Sequence, residues 1–289
     1  MDGHTERGHQ LVRQLRRYIA DAVVNEPPED AVRSRPRRVG RLAQSTACMA
    51  LLDLNDRCIR RFAPAGPAIV SADRWPWIGD LERRTADIRR ELLRFLERSD
   101  LPHVTAMAGI DPDSAQIADA MPVLDGGWHT LPLFVGARWV PGAVDGFPAT
   151  TAALRPAREK ANVWFSELRP HSHIAAHSDP NCGALRLHLP LIVPGGDGDC
   201  RIRVGDEVIR WEEGRALVFD LAADHEVWND SDSSRFVLTA ELPLPLPRPL
   251  SWLNAITQCA YRWHPSFRQI GRRAEVLGLR PPAIMADVA

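Results

Sequence analysis

Between residues 160 and 242 lie side chains able to do chemistry together. His177-Ser178-Asp179 sets an imidazole and a carboxylate two residues apart, and in an extended chain residues i and i+2 point to the same side. A second imidazole, His225, belongs to a later segment. Two neutral imidazoles and one carboxylate on one face of an octahedron leave three positions open, the donor set of Fe(II) in oxygen-activating sites. An H-x-D pair alone is common by chance, and an isolated histidine is more often structural. His171 and His173 form H-S-H just upstream, so a cupin-like site built from them with His177 is an alternative. Arg186 and His188 occupy the polar face of an otherwise apolar strand, and Arg235 opens another. An arginine inside a barrel is costly unless it meets an anion, and a guanidinium forks onto a carboxylate with two parallel hydrogen bonds. Two such arginines near a metal suggest a ligand with two carboxylates, such as 2-oxoglutarate.

The elements that must hold these groups are short strands. NVWFSELR (162–169), LRLHLPLIV (185–193), CRIRV, EVIRW, RALVFD (215–220) and SRFVLTAEL (234–242) each read as strands. Leu185, Leu187 and Leu189 face one way, and Arg186 and His188 the other. Gly205-Asp206 is a two-residue hairpin signal. Many short strands with frequent turns indicate an all-β sandwich or barrel. Helices are expected at the ends: residues 8–24, an amphipathic helix over 79–98 with Leu81, Ile88, Leu92 and Phe95 on one face, and a tail from 249 with Leu250, Leu253, Ile256 and Tyr261 available for packing. Between the first two, NEPPEDAVRSRPRRVGR reads as a linker or mobile loop, its Arg33, Arg35, Arg37, Arg38 and Arg41 solvated. Residues 99–127 look irregular, ending in a turn at Asp125-Gly126-Gly127.

With these motifs in place, the chain resembles the aspartyl/asparaginyl β-hydroxylase family of 2-oxoglutarate oxygenases over about 72–245. The resemblance begins at Trp75-Pro76-Trp77. It is strongest at Ser166-Glu167-Leu168-Arg169-Pro170, His177, Asn181-Cys182, Leu185-Arg186-Leu187-His188-Leu189, Trp211-Glu212-Glu213-Gly214, Phe219-Asp220 and His225-Glu226-Val227-Trp228, and it ends at Arg235. It implies a mainly β fold, a double-stranded β-helix (jelly-roll, cupin-like) core with flanking N- and C-terminal helices. It implies Fe(II), 2-oxoglutarate and O2 as cofactor and co-substrates, and oxidative decarboxylation coupled to hydroxylation. His177 and His225 match the family's iron ligands, Ser166 and Arg235 the residues on the distal carboxylate of 2-oxoglutarate, and Arg186 and His188 those near the carboxylate beside the keto group. The animal members that name the family have glycine where this chain has Asp179. A third ligand fills the place a halide would need, which favours hydroxylation over halogenation. Trp128, Arg138, Trp164, His173, Asn181 and Trp228 are candidates for the substrate pocket.

Three segments follow: an N-terminal helical and linker extension (1–70), the oxygenase jelly roll with its leading helix (71–245), and a C-terminal helical extension (246–289). The chain has 289 residues, 36 basic and 37 acidic, for a net charge of -1, which gives no global electrostatic case for nucleic acid or an anionic membrane. Five widely spaced cysteines without a CxxC pair make a poor disulfide framework or structural zinc site. The polar N-terminus and the lack of a long apolar run lead to the expectation of a cytoplasmic protein acting on a small molecule, with no nucleic-acid or membrane partner. The expected substrate is an amino acid or an aminoacyl or peptidyl derivative. A non-catalytic barrel sensing 2-oxoglutarate or metal, and a cupin-type enzyme that does not use 2-oxoglutarate, are the competing readings.

Overall fold

A computed structural model of the chain describes residues 35–64, 66–108, 127–179, 181–196 and 199–279. Eleven strands in these residues form two antiparallel sheets. They are β1 (Ile69–Val70), β2 (Trp128–Val135), β3 (Arg138–Trp139), β4 (Val163–Leu168), β5 (Ser172–His177), β6 (Ala184–Ile192), β7 (Cys200–Val204), β8 (Glu207–Arg210), β9 (Leu217–Asp220), β10 (His225–Asn229) and β11 (Arg235–Pro243). The larger sheet has the order β1-β9-β6-β11-β4-β2-β3, and the smaller β5-β10-β7-β8. Consecutive strands thus alternate between sheets along β4–β7 and β9–β11, the winding of a double-stranded β-helix. The strands expected from sequence are present, and Gly205, at φ 58°, turns the β7–β8 hairpin.

Alternation along the strands gives the large sheet two different faces. One carries Leu131, Leu133, Val163, Phe165, Leu187, Leu189 and Leu238 against helices. The other faces the small sheet and packs Leu168, Ile174, Ile202, Val204, Phe219 and Val227 around a polar centre. The helices are α1 (Arg35–Phe62), α2 (Pro76–Arg83), α3 (Thr85–Leu96), α4 (Val104–Ala108), α5 (Ala143–Gly146), α6 (Pro148–Leu154), α7 (Leu250–Arg262) and α8 (Pro265–Ala274), and α2–α6 and α8 contribute buried residues to this outer-face core. Glu91 on α3 accepts hydrogen bonds from Ala149 N, Thr150 N and Thr150 Oγ1, capping α6 where backbone donors have no helical partner.

Four sequence expectations change. The helix expected over 79–98 is two, because Arg84 (φ -97°, ψ 6°) ends α2 and starts α3. Leu81, Ile88 and Leu92 stay buried across the break, so the apolar period ran through it unmarked. The Pro- and Arg-rich linker overlaps α1, which begins at Arg35. Pro36 falls in the first turn, where its missing N–H costs nothing, and Ser45, Cys48, Leu52, Asn55 and Ile59 make one buried face. Residues 99–127 include α4. Ile256, expected to pack, is exposed on α7. The helix expected over 8–24 lies outside the described residues.

Candidate active site

β5 and β10 are adjacent in the small sheet, with His177 paired to His225 in register. Their ring centroids lie 4.2 Å apart, and both side chains are buried. His177 Nδ1 is 2.8 Å from Ala175 O, and His225 Nδ1 is 2.9 Å from Ala223 O. A carbonyl only accepts, so each Nδ1 carries the proton and donates, leaving each Nε2 lone pair free. Such anchoring is the usual outer support of a metal-bound imidazole. Burial, then the facing His177, lowers the His225 pKa to about 3, so the ring is neutral, as ligation requires.

Asp179 follows β5, its N–H donating to Leu221 O. Its Oδ2 is 4.0 Å from His225 Nε2 and 2.9 Å from Arg186 Nη2. Burial pushes its pKa up, but Arg186 and the two histidines outweigh this and hold it below the ordinary value. Among the described residues no three His, Cys, Asp or Glu side chains are already disposed as a metal-binding group; the Asp179 carboxylate is engaged by Arg186 instead. The donor set nevertheless fits a divalent ion that takes two imidazoles and a carboxylate.

The facing strands of the large sheet supply the rest. Arg186 pairs in register with Glu241, and His188 with Thr239. Arg186 Nη2 bonds Asp179 and Glu241 Oε1 (3.2 Å), and its guanidinium lies 4.7 Å from the Trp164 ring. The resemblance gave Arg186 to a cofactor carboxylate; in this structure two acids hold it. Arg235 is 2% exposed and stacks 4.5 Å over Trp211. Among the described residues it has no carboxylate within ion-pair distance, and its buried Nε has no hydrogen-bond partner. Burial lowers its pKa to about 10. His188 packs against Phe219 and Trp211, its Nδ1 also unpartnered, and burial with Arg186 and Arg235 nearby drives its pKa far down. Trp211 Nε1 and Thr239 Oγ1 are likewise buried without partners. Buried polar groups are normally satisfied, so these orphaned groups, on the adjacent strands β6 and β11 and in the loop after β8, form a cradle suited to a polar, anionic ligand. Trp128 Nε1 donates to the buried Ser166 Oγ at 3.0 Å.

Of the substrate candidates, Trp128 and Trp164 lie against these residues. His173 and Trp228 stack at 5.3 Å on the opposite face of the small sheet, tied to Glu226 and Arg201, because strand alternation turns them away from His225. Asn181 is buried in a reciprocal amide pair with Gln258 on α7, where Gln258 also meets Asn254, and Asn254 meets Asn55 of α1. Arg138 is on β3, two strands beyond β4, beside a separate cavity of about 420 Å3. Sequence reasoning missed Glu241, Trp211 and Thr239. Glu241 and Thr239 sit at even spacing from Arg235 on β11, and that period was the available signal.

Residues 82–245 match the profile of the family described as aspartyl/asparaginyl beta-hydroxylase. The chain belongs to this family. An ornithine lipid ester-linked acyl 2-hydroxylase from Rhizobium tropici is 34% identical over 196 residues, 67% of both chains. The aspartyl/asparaginyl beta-hydroxylase of Mus musculus is 33% identical over 122 residues, 40% of this chain but 16% of the mouse protein. Family membership makes this chain a hydroxylase-family protein. Among solved structures, a 2OG-Fe(II) oxygenase family oxidoreductase from Burkholderia pseudomallei superposes on 40% of this chain and 66% of its own at 14% identity, TM-score 0.32. A Cupin_2 domain of an XRE family transcriptional regulator from Enterobacter cloacae covers 41% of this chain and 98% of its own at 12% identity, TM-score 0.28.

Proposed function

We propose that the protein is an Fe(II)- and 2-oxoglutarate-dependent hydroxylase of an aliphatic C–H bond. The observation that carries this is a buried arginine with no anion of its own, Arg235, facing two tautomerically fixed histidines across one lumen. His177, Asp179 and His225 would hold the iron, which with 2-oxoglutarate and O2 supplies the oxidising power. Arg235 binds the distal carboxylate, and Ser166, positioned by Trp128, takes its other oxygen. His188, kept neutral by burial, offers one hydrogen bond to the cosubstrate without adding charge. Arg186 balances Asp179 and Glu241, keeping Asp179 ionised and able to turn toward a cation. Trp211 and Phe219 wall the cradle and exclude water, which strengthens each of these contacts.

For the substrate we infer a molecule presenting an amino-acid unit. The Rhizobium relative's name, an acyl hydroxylase of a lipid of the amino acid ornithine, makes lipid-linked amino acids the class to assay beside free ones. The test is substrate-dependent succinate release with Fe(II), together with a mass gain of one oxygen in the product. H177A and H225A should abolish both, and normal turnover in either would remove the ligand assignment. Anaerobic Fe(II) protein titrated with 2-oxoglutarate should develop a weak visible charge-transfer band, and none would favour a cupin enzyme that does not use it. A band without any turnover would favour a sensor.

A further inference from the structure

Helix α7 is built inside out. Its buried side contains Asn254, Thr257 and Gln258 beside Leu250. Its exposed side carries Trp252 (58% exposed), Ile256 (61%) and Trp263 (41%), with Ala255 and Cys259 exposed between them. Positions 252, 256, 259 and 263 fall on one stripe at helical spacing. A water-facing helix side ordinarily carries polar residues, and two tryptophans flanking an isoleucine have no packing role toward the core here.

The borders of the stripe are cationic. The Arg248 guanidinium lies 5.3 Å from the Trp252 ring, and that of Arg138 lies 5.4 Å from the Trp263 ring. Beyond Trp263 the cavity of about 420 Å3 is lined by Arg138, Arg262, Arg268 and Arg272, with Glu275 the one acid on its wall. Among the described residues no carboxylate lies within ion-pair distance of Arg138, Arg248, Arg268 or Arg272.

We propose that this face of α7, with its arginine border, docks on an anionic phospholipid surface. Indole rings belong at the boundary between headgroups and acyl chains, and arginines beside them meet lipid phosphates. A second copy of the chain fits worse, because a two-fold interface sets a patch against itself and would press arginine border against arginine border. The inference rests on the surface alone and not on the catalytic reading. Its consequence is that a lipid-linked substrate would be met in the plane of the membrane. It also links that surface to the site, since the buried side of α7 is the side that grips Asn181 and Gly183 near Asp179.

The full chain is sedimented with vesicles of phosphatidylcholine alone and of phosphatidylcholine with phosphatidylglycerol. Binding is expected to the anionic vesicles, falling as salt rises. Each large apolar side chain inserted is worth on the order of tenfold in partitioning, so W252S/I256S should bind at least about tenfold more weakly. R138Q and R268Q should each cost about fivefold. Melting temperatures near that of the parent verify folding, since these side chains are exposed. No binding to anionic vesicles, or equal binding by W252S/I256S, overturns the proposal. So does a dimer in light scattering that W252S/I256S dissociates, which would identify the occupant as a second copy.

Discussion

Replacing Arg235 with methionine separates what this side chain does for the fold from what it does for a ligand. The guanidinium is buried, and burial lowers its pKa from the ordinary arginine range to about 10. At about 1.4 kcal/mol per tenfold change in proton affinity, keeping that charge in place costs on the order of 3 kcal/mol. Methionine fills a similar volume without the charge, and forfeits the stacking on Trp211, worth about 2 kcal/mol when desolvated. The metal-free protein should therefore gain about 1 kcal/mol, a rise of roughly 2–4 °C in Tm. The ligand response should move the other way. Adding 2-oxoglutarate at about a hundred times its Kd should stabilise the parent protein by about 2.7 kcal/mol, and R235M by no more than about 1 kcal/mol. The concentration needed for succinate release should rise roughly thirtyfold or more, as for loss of one partner in a buried charge pair. Differential scanning fluorimetry with and without 2-oxoglutarate reads both effects. A fall in metal-free Tm would refute the account of an uncompensated buried charge. An unchanged 2-oxoglutarate requirement would refute the cradle.

Two further outcomes follow from buried polar groups away from the cradle. A Cβ added at Gly183 would lie inside contact distance of Asn254 Oδ1 and Gln258 Nε2, so G183A should lower stability by about 2 kcal/mol, read from the urea midpoint. Fully buried His264 bonds Ser45 Oγ through Nε2 and caps α8 through Nδ1, and burial lowers its pKa from 6.5 to about 4. Below pH 6.5 the unfolded chain takes up a proton that the folded one refuses. Stability is thus full above pH 6.5 and falls by up to about 3 kcal/mol as pH drops toward 4. H264N, which retains a capping oxygen, should flatten that decline in pH-dependent denaturation curves.

How much the sequence disclosed depended on whether a signal was periodic and local. The alternation of Leu185, Leu187 and Leu189 with Arg186 and His188 showed both faces of β6, and the pairing of His177 with His225 agrees with a shared site. What stayed hidden depended on partners distant in sequence. Arg186 looked like a cofactor residue because Glu241, 55 positions away, is visible as its partner only after folding. His173 and Trp228 looked like pocket residues because strand faces cannot be assigned across separate segments by inspection. The net charge of -1 gave no global case for a membrane partner, but an average over the chain says nothing about how arginines from separate elements are distributed over the surface. Ile256 looked available for packing on its apolarity, and Asn254 and Gln258 occupy the buried side instead.

The amides that clasp residues 181–183 come from Asn254 and Gln258, past residue 245, while Asp56 of α1, ahead of residue 82, accepts from Cys182 N. The strand junction bearing Asp179 is therefore wedged between two stretches of polypeptide that the family profile does not reach. A catalytic core excised at the profile's limits would lose these partners, leave Asn181, Cys182 N and Gly183 O facing solvent, and loosen first at the very turn that presents the carboxylate.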